Sequence, residues 1–195
     1  MIKKSILFVI KAVLLMSCAQ APTEKAITAE DKALQKGLEM LSDAAVTDKS
    51  ESLSAFEQAC KLGSHYGCHK IGIAYNNELY GKEKDYQKAR EWYLKAAEKG
   101  YVPSQQNIAN LYAYRLLPMN DIEGYKWLKL AEAGATKCLP GSIEVESNTP
   151  EVERRRLCQL ATAGQGRLRS FFRKRMTVQE IHQAEENARK WQPKP

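Results

Sequence analysis

Cys60, His65, Cys68 and His69 bring two thiols and two imidazoles into one ten-residue stretch. Zinc takes thiolate and imidazole ligands, and two histidines four apart share one face of a helix if a helix has begun by then. The same thiols, with seven residues between them, would instead close a short loop on oxidation. The loop-entropy estimate puts that closure at about 2.5 kcal/mol of stabilisation, and at about 3 kcal/mol for a bridge between Cys138 and Cys158. The compartment weighs on the choice, because disulfides persist where the surroundings are oxidising.

Constellations for catalysis are missing. The sequence has no G-x-S-x-G elbow, no H-E-x-x-H, no Walker loop and no glycine-rich dinucleotide turn. Ser104 and Ser142 have no evident base, and His182 sits among charged neighbours, where solvation is its ordinary fate. These residues point away from an enzyme, and no cofactor, metal or small-molecule substrate is expected.

The N-terminus addresses the compartment. MIKKSILFVIKAVLLMSCAQ joins a positive start to a short apolar run, the pattern of a secretory leader too short to span a bilayer stably. Its ending Leu15-Met16-Ser17-Cys18 resembles a bacterial lipobox, which implies cleavage after residue 17 and lipidation of Cys18. The lack of an aspartate after the cysteine resembles lipoproteins sorted to the outer membrane. A cell-envelope protein anchored by its lipid and facing the periplasm follows, and in that compartment the disulfide is the more natural fate of the thiols. Residues 18–28 read as a lipidated polar tether.

Charge excludes one class of partner. The net charge of +7 includes Lys3, Lys4 and Lys11 of the leader; without them 27 basic residues face 23 acidic ones, a mature charge of +4. That is too little to argue for nucleic acid. The asymmetry is local, with eight basic residues against two acids between Glu151 and Arg175. Arg167, Arg169, Arg173, Lys174 and Arg175 are its candidate docking face for an acidic protein or anionic headgroups, against the plain alternative of a solvated surface.

Helices must position all of these groups. Leu34, Leu38 and Leu41 recur at helical spacing between Ala29 and Ala45, behind Thr28 as N-cap. Leu53, Phe56 and Ala59 do so from about Ser50 to Leu62, where Gly63 stops the helix. Sliding residues 59–100 along the chain by 37 lays Ile71 on Ile108, Gly72 on Ala109, Tyr75 on Tyr112 and Gly63 on Gly100. A slide of 35 lays Trp92 on Trp127 and Ala96 on Ala131. Helix pairs repeating at this period indicate a solenoid, in which neighbouring repeats complete each other's core. Beyond a Pro- and Gly-containing loop near residues 135–150, Thr149-Pro150-Glu151 opens a helix that Gly164 and Gly166 kink or split. Thr177 and Glu180 have capping-box spacing ahead of the stripe Ile181, Ala184, Ala188 and Trp191.

With IGIAY…DYQKAREWYLKAAEKG and the weaker NIANLY…DIEGYKWLKLAEAG on the page, the chain resembles the Sel1-like repeat family, relatives of tetratricopeptide repeats. The resemblance implies an all-α, right-handed α-solenoid of antiparallel helix pairs over residues 29–134, with a stapled loop and C-terminal capping helices over 135–195. ACKLGSHYGC looks like the corner disulfides of cysteine-rich family members, which implies Cys60–Cys68, with Cys138–Cys158 stapling the later loop. If Ile71, Tyr75, Ile108 and Tyr112 are core, the far side of each first helix presents His69, Ile73 and Asn77, then Gln106, Asn110 and Tyr114. With Arg115, these are the candidate partner-binding residues. Exported members of the family implicate a protein partner, in the most specific form a secreted antibacterial lipase neutralised by an immunity protein. A scaffold of the envelope and a penicillin-interacting hydrolase are the other readings.

Overall fold

The computed structural model describes residues 28–42, 49–136 and 163–194. The leader, Cys18, the Cys138–Cys158 pair and the helix expected from Thr149 lie outside these residues. Among them the chain is all α-helical, with no strand: α1 (Ala29–Ser42), α2 (Ser50–Lys61), α3 (His65–Asn77), α4 (Tyr86–Ala97), α5 (Val102–Ala113), α6 (Asp121–Thr136), α7 (Gln165–Arg173) and α8 (Val178–Lys190). From α1 to α6 each helix packs on the next, while α7 and α8 both return to α6. This neighbour-to-neighbour stacking is that of an α-solenoid. No helix of the described residues is long and apolar enough to cross a membrane.

Local chemistry sets the ends of the helices. The Asp31 amide donates to Thr28 Oγ1 at 3.1 Å and the Thr28 amide donates back to the Asp31 carboxylate at 3.0 Å. Ser64 caps α3 by accepting from the Gly67 amide, and Asp85 caps α4 by accepting from the Lys88 amide. The full Thr177–Glu180 capping box starts α8. Gly63 and Gly100, at φ +114° and +90°, close α2 and α4 in the left-handed region where a Cβ is costly.

The core forms two large clusters. Leu34, Phe56, Ile71 and Ala96 centre the N-terminal one, and Tyr93, Ile108, Leu128 and Phe172 the C-terminal one. Half-buried Tyr75 packs against both, so the second face of the first repeat is completed by the second repeat. Gly72 shows how closely the helices approach: a Cβ there would collide with the Tyr93 ring. Trp191, just beyond α8, stands edge-on to Trp127 at 6.2 Å, and Ala184 is fully buried, so α8 covers the outer side of α6. The chain then runs back to α4, where the Lys194 amide donates to the Glu98 carbonyl at 2.7 Å.

Candidate interaction site

The Cys60–Cys68 disulfide is formed, with Cα atoms 4.8 Å apart, and it joins the end of α2 to the first turn of α3. With both thiols oxidised, the zinc alternative has lost its thiolates. His69 turns elsewhere. Its Nδ1 lies 2.8 Å from Ser104 Oγ, in the first turn of α5, and both side chains are buried. The imidazole sits between the Tyr93 ring at 5.5 Å and the Tyr101 ring at 5.2 Å. Burial lowers its pKa to about 3, and the neighbouring Lys70 charge adds in the same direction.

A serine hydroxyl hydrogen-bonded to an imidazole has the makings of a nucleophile and its base. Here the pair is sealed, since Ser104 is wholly buried. An imidazole with so low a proton affinity is also a poor base near neutral pH. The pair is a polar clamp between α3 and α5, the first helices of successive repeats.

Burial corrects the outward placement of His69 and Gln106, both of which are inside. The reason is that α3 packs against α2 on one side and α4 on another, and reaches α5 through His69, so Gly67, Cys68, His69, Ile71, Gly72 and Ala74 are all buried. Likewise α5 is enclosed by α4, α6 and α7. A single outward stripe of three positions is therefore too wide for either helix. Ile73 is half-buried against the C-terminal cluster and Asn110 is half-buried, while Asn77, Tyr114 and Arg115 are exposed. Tyr114 stands edge-on to Phe171 of α7, with ring centroids 5.8 Å apart.

The basic set divides as well. Arg169 donates to Glu132 Oε1 through Nη2 at 2.6 Å and Nε at 3.0 Å, tying α7 to α6. Arg175 grips Asp121 with Nη2 at 2.8 Å and Nε at 3.0 Å, and its Nη1 donates to the Ala113 carbonyl at 2.9 Å. A bidentate guanidinium–carboxylate contact is the strong form of this interaction. These two arginines hold the cap in place, which corrects their assignment to an open docking face. Arg173 is exposed and faces the Tyr125 phenol. Arg167 and Lys174 are exposed, and neither forms an ion pair with an acid among the described residues. Ser104, expected to have no base, has the His69 imidazole beside it, a pairing that 35 residues of separation hide from the sequence; the place of Phe171 against Tyr114 is likewise invisible in the spacing of either helix.

No family model matches the chain. A search of solved structures finds a protective antigen present in uropathogenic Escherichia coli strains and described as displaying an SLR fold, the fold of Sel1-like repeats. The superposition has a TM-score of 0.59 at 18% identity, over 83% of this chain and 29% of the antigen. The chain has the SLR fold. Among curated proteins, 66 residues, or 34% of the chain, are 32% identical to the ERAD-associated E3 ubiquitin-protein ligase component HRD3A of Arabidopsis thaliana. The match covers 10% of that protein's length. Both relatives are therefore much longer than the part this SLR chain matches.

Proposed function

We propose that this SLR chain is a protein-binding module, anchored to the bacterial cell envelope through Cys18 and facing the periplasm. The observation that carries the binding reading is the exposed pairing of Tyr114 with α7 in a fold whose Ser–His pair is sealed from any substrate. Aromatic and arginine side chains at an accessible surface are the usual anchors of protein interfaces. HRD3A, by its name, is a component of a ubiquitin-protein ligase, so a similar segment occurs in a protein that works in an assembly. The most specific form of the reading is an immunity protein that neutralises a secreted antibacterial lipase on the periplasmic side. Its support is the leader ending in Cys18 together with the resemblance to exported Sel1-like lipoproteins.

Crosslinking of the full chain in envelope preparations, followed by pull-down and mass spectrometry, tests the binding reading. A specific protein crosslinked to described helices is expected, and its absence counts against the module. Protection of lipase-treated cells tests immunity, which is abandoned if no lipase gene lies beside the chain's own gene or if the purified chain neither binds nor inhibits the lipase encoded there. Palmitate labelling that persists in Cys18→Ala removes the anchor. Nitrocefin turnover by the purified chain, lost in a Ser104→Ala variant that remains folded, would favour the hydrolase instead.

A further inference from the structure

We infer that Tyr114, Leu116, Met119 and Phe171, flanked by Arg167 and Lys174, form one docking ridge for an acidic peptide segment that carries an apolar anchor side chain. The inference rests on the protein-binding reading and says where and what that module binds.

Two tertiary contacts assemble the ridge from distant parts of the sequence. The Tyr114–Phe171 contact joins the end of α5 to the outer face of α7. The Arg175 bridge to Ala113 and Asp121 then holds the end of α7 against the 114–120 connector. Within α7, Leu168 and Phe172 point inward and are buried, whereas Arg167, Ser170, Phe171 and Lys174 make up the other face. Positions i, i+4 and i+7 lie in line on a helix, so Phe171 has Arg167 on one side and Lys174 on the other. The connector adds apolar surface: Tyr114 is 48% exposed, Leu116 38% and Met119 74%.

The acids around this apolar surface are already engaged. Asp121 is held by Arg175, Glu132 by Arg169 and Lys129, and Glu180 by its own helix cap. Arg167 and Lys174 are left without an acid from the described residues, and the exposed Arg115 stands 4.0 Å from the already occupied Asp121. A partner supplies what is missing if it brings carboxylates together with an apolar side chain. Spacing narrows the class further. Seven helical residues separate Arg167 from Lys174 by about 10 Å along the axis. In an extended strand side chains alternate between the two faces, so two residues that face the same way with a third midway between them are four apart, about 13 Å along the strand. A peptide with two acids four positions apart and an aromatic residue midway between them turns all three side chains to one face; the long Arg167 and Lys174 side chains span the small difference in spacing, and the ring meets the Tyr114–Phe171 pair, where edge-to-face packing is favourable.

The test uses the full chain and a fluorescein-labelled extended peptide containing Asp-Thr-Trp-Thr-Asp, read by anisotropy. Binding is expected to weaken about tenfold when both aspartates are changed to asparagine, and by a similar factor in the Arg167→Glu, Lys174→Glu double variant. Tyr114→Ala should also weaken it, and added salt should lower the affinity for the acidic peptide only. Circular dichroism melts of these surface variants are the control for folding. Failure of the peptide to bind, equal binding of the asparagine peptide, or unchanged affinity in the charge-reversed chain overturns the inference. So does binding of phosphatidylglycerol vesicles by a chain that ignores the peptide, which would make the ridge a membrane contact. If an envelope partner is captured but crosslinks away from Lys174, the ridge is rejected while the binding module stands; if the peptide binds by these criteria but no envelope partner is captured, the ridge stands and the envelope-anchored reading is the one that fails.

Discussion

At the corner between α2 and α3, and again between α4 and α5, the backbone follows one path. Gly63 donates to the Cys60 carbonyl and Ser64 to that of Ala59; 37 residues later Gly100 donates to Ala97 and Tyr101 to Ala96. The side chains that secure the two corners differ. The first has the Cys60–Cys68 disulfide and the Ser64 cap. The second has a proline in the first turn of α5 and a buried bond from Gln105 Nε2 to the Ala97 carbonyl at 3.1 Å. The same turn is thus held covalently in one repeat and by a buried amide in the next. The comparison separates the requirement for the turn, which is a left-handed glycine, from the means of reinforcing it.

Removing the covalent tie should cost the first corner the most. Cys60→Ser, Cys68→Ser should lose about 2.5 kcal/mol in urea unfolding, and reductant should destabilise the parent chain without affecting this variant. A loss well under half of that would mean that the Ser64 turn suffices by itself.

Acid should act on the first repeat through His69, whose register in the second repeat is filled by Gln106, a side chain that does not titrate. The folded pKa of about 3 lies below the ordinary 6.5, so the unfolded chain binds the extra proton. His69 therefore contributes fully above about pH 6.5, and its contribution falls by about 1.4 kcal/mol per pH unit as pH drops below that value. Lys70, Tyr93 and Tyr101 surround the ring. Urea unfolding at pH 7 and pH 5.5 measures the slope, and His69→Gln, which installs the second repeat's residue, should reduce it.

The second corner should tolerate loss of its amide better than the first tolerates loss of its bridge. Gln105 Oε1 has no partner among the described residues, and the Ala97 carbonyl keeps the Gly100 amide. Gln105→Met gives up one hydrogen bond but also removes a buried lone acceptor, and the net change should stay within about 1 kcal/mol. A loss above about 2 kcal/mol in the same unfolding assay would make the amide as important as the disulfide.

The smallest expected effect tests the helix ends that match between repeats. Glu78 and Arg115 close α3 and α5 at φ 53° and 60°, a region that costs residues with a Cβ. Leu79 and Leu116 complete both turns by donating to Ala74 and Leu111. Glu78→Gly and Arg115→Gly should each gain about 0.5 kcal/mol or less after the greater flexibility of the unfolded glycine is subtracted. Unequal effects would show that the two turns are not equivalent despite their shared geometry.

Much of the fold was legible because it is written in local chemistry. Thr28, Gly63, Gly100 and the Thr177–Glu180 pair act within a few residues of their own positions, and the 37-residue match carried the first repeat's helices onto the second. The short span from Cys60 to Cys68 is local too. The interaction site is legible only in pieces, with Tyr114 and Arg115 in one stretch and Arg167 and Lys174 in another, and no local pattern links the two. Periodicity on one helix cannot tell how many neighbours enclose it, which is why His69 and Gln106 were placed outside.

The helices, their stops, the repeat period and the thiols within reach of each other all follow from local patterns in the chain, since each depends on residues close together along it. Tertiary packing is what brings His69 to Ser104, sets Arg169 and Arg175 to fasten the cap, and joins Phe171 to Tyr114. Those outcomes depend on where α5, α6 and α7 are stacked. The stacking is set by the shape of a core shared between repeats, and residues 35 to 62 positions apart meet there.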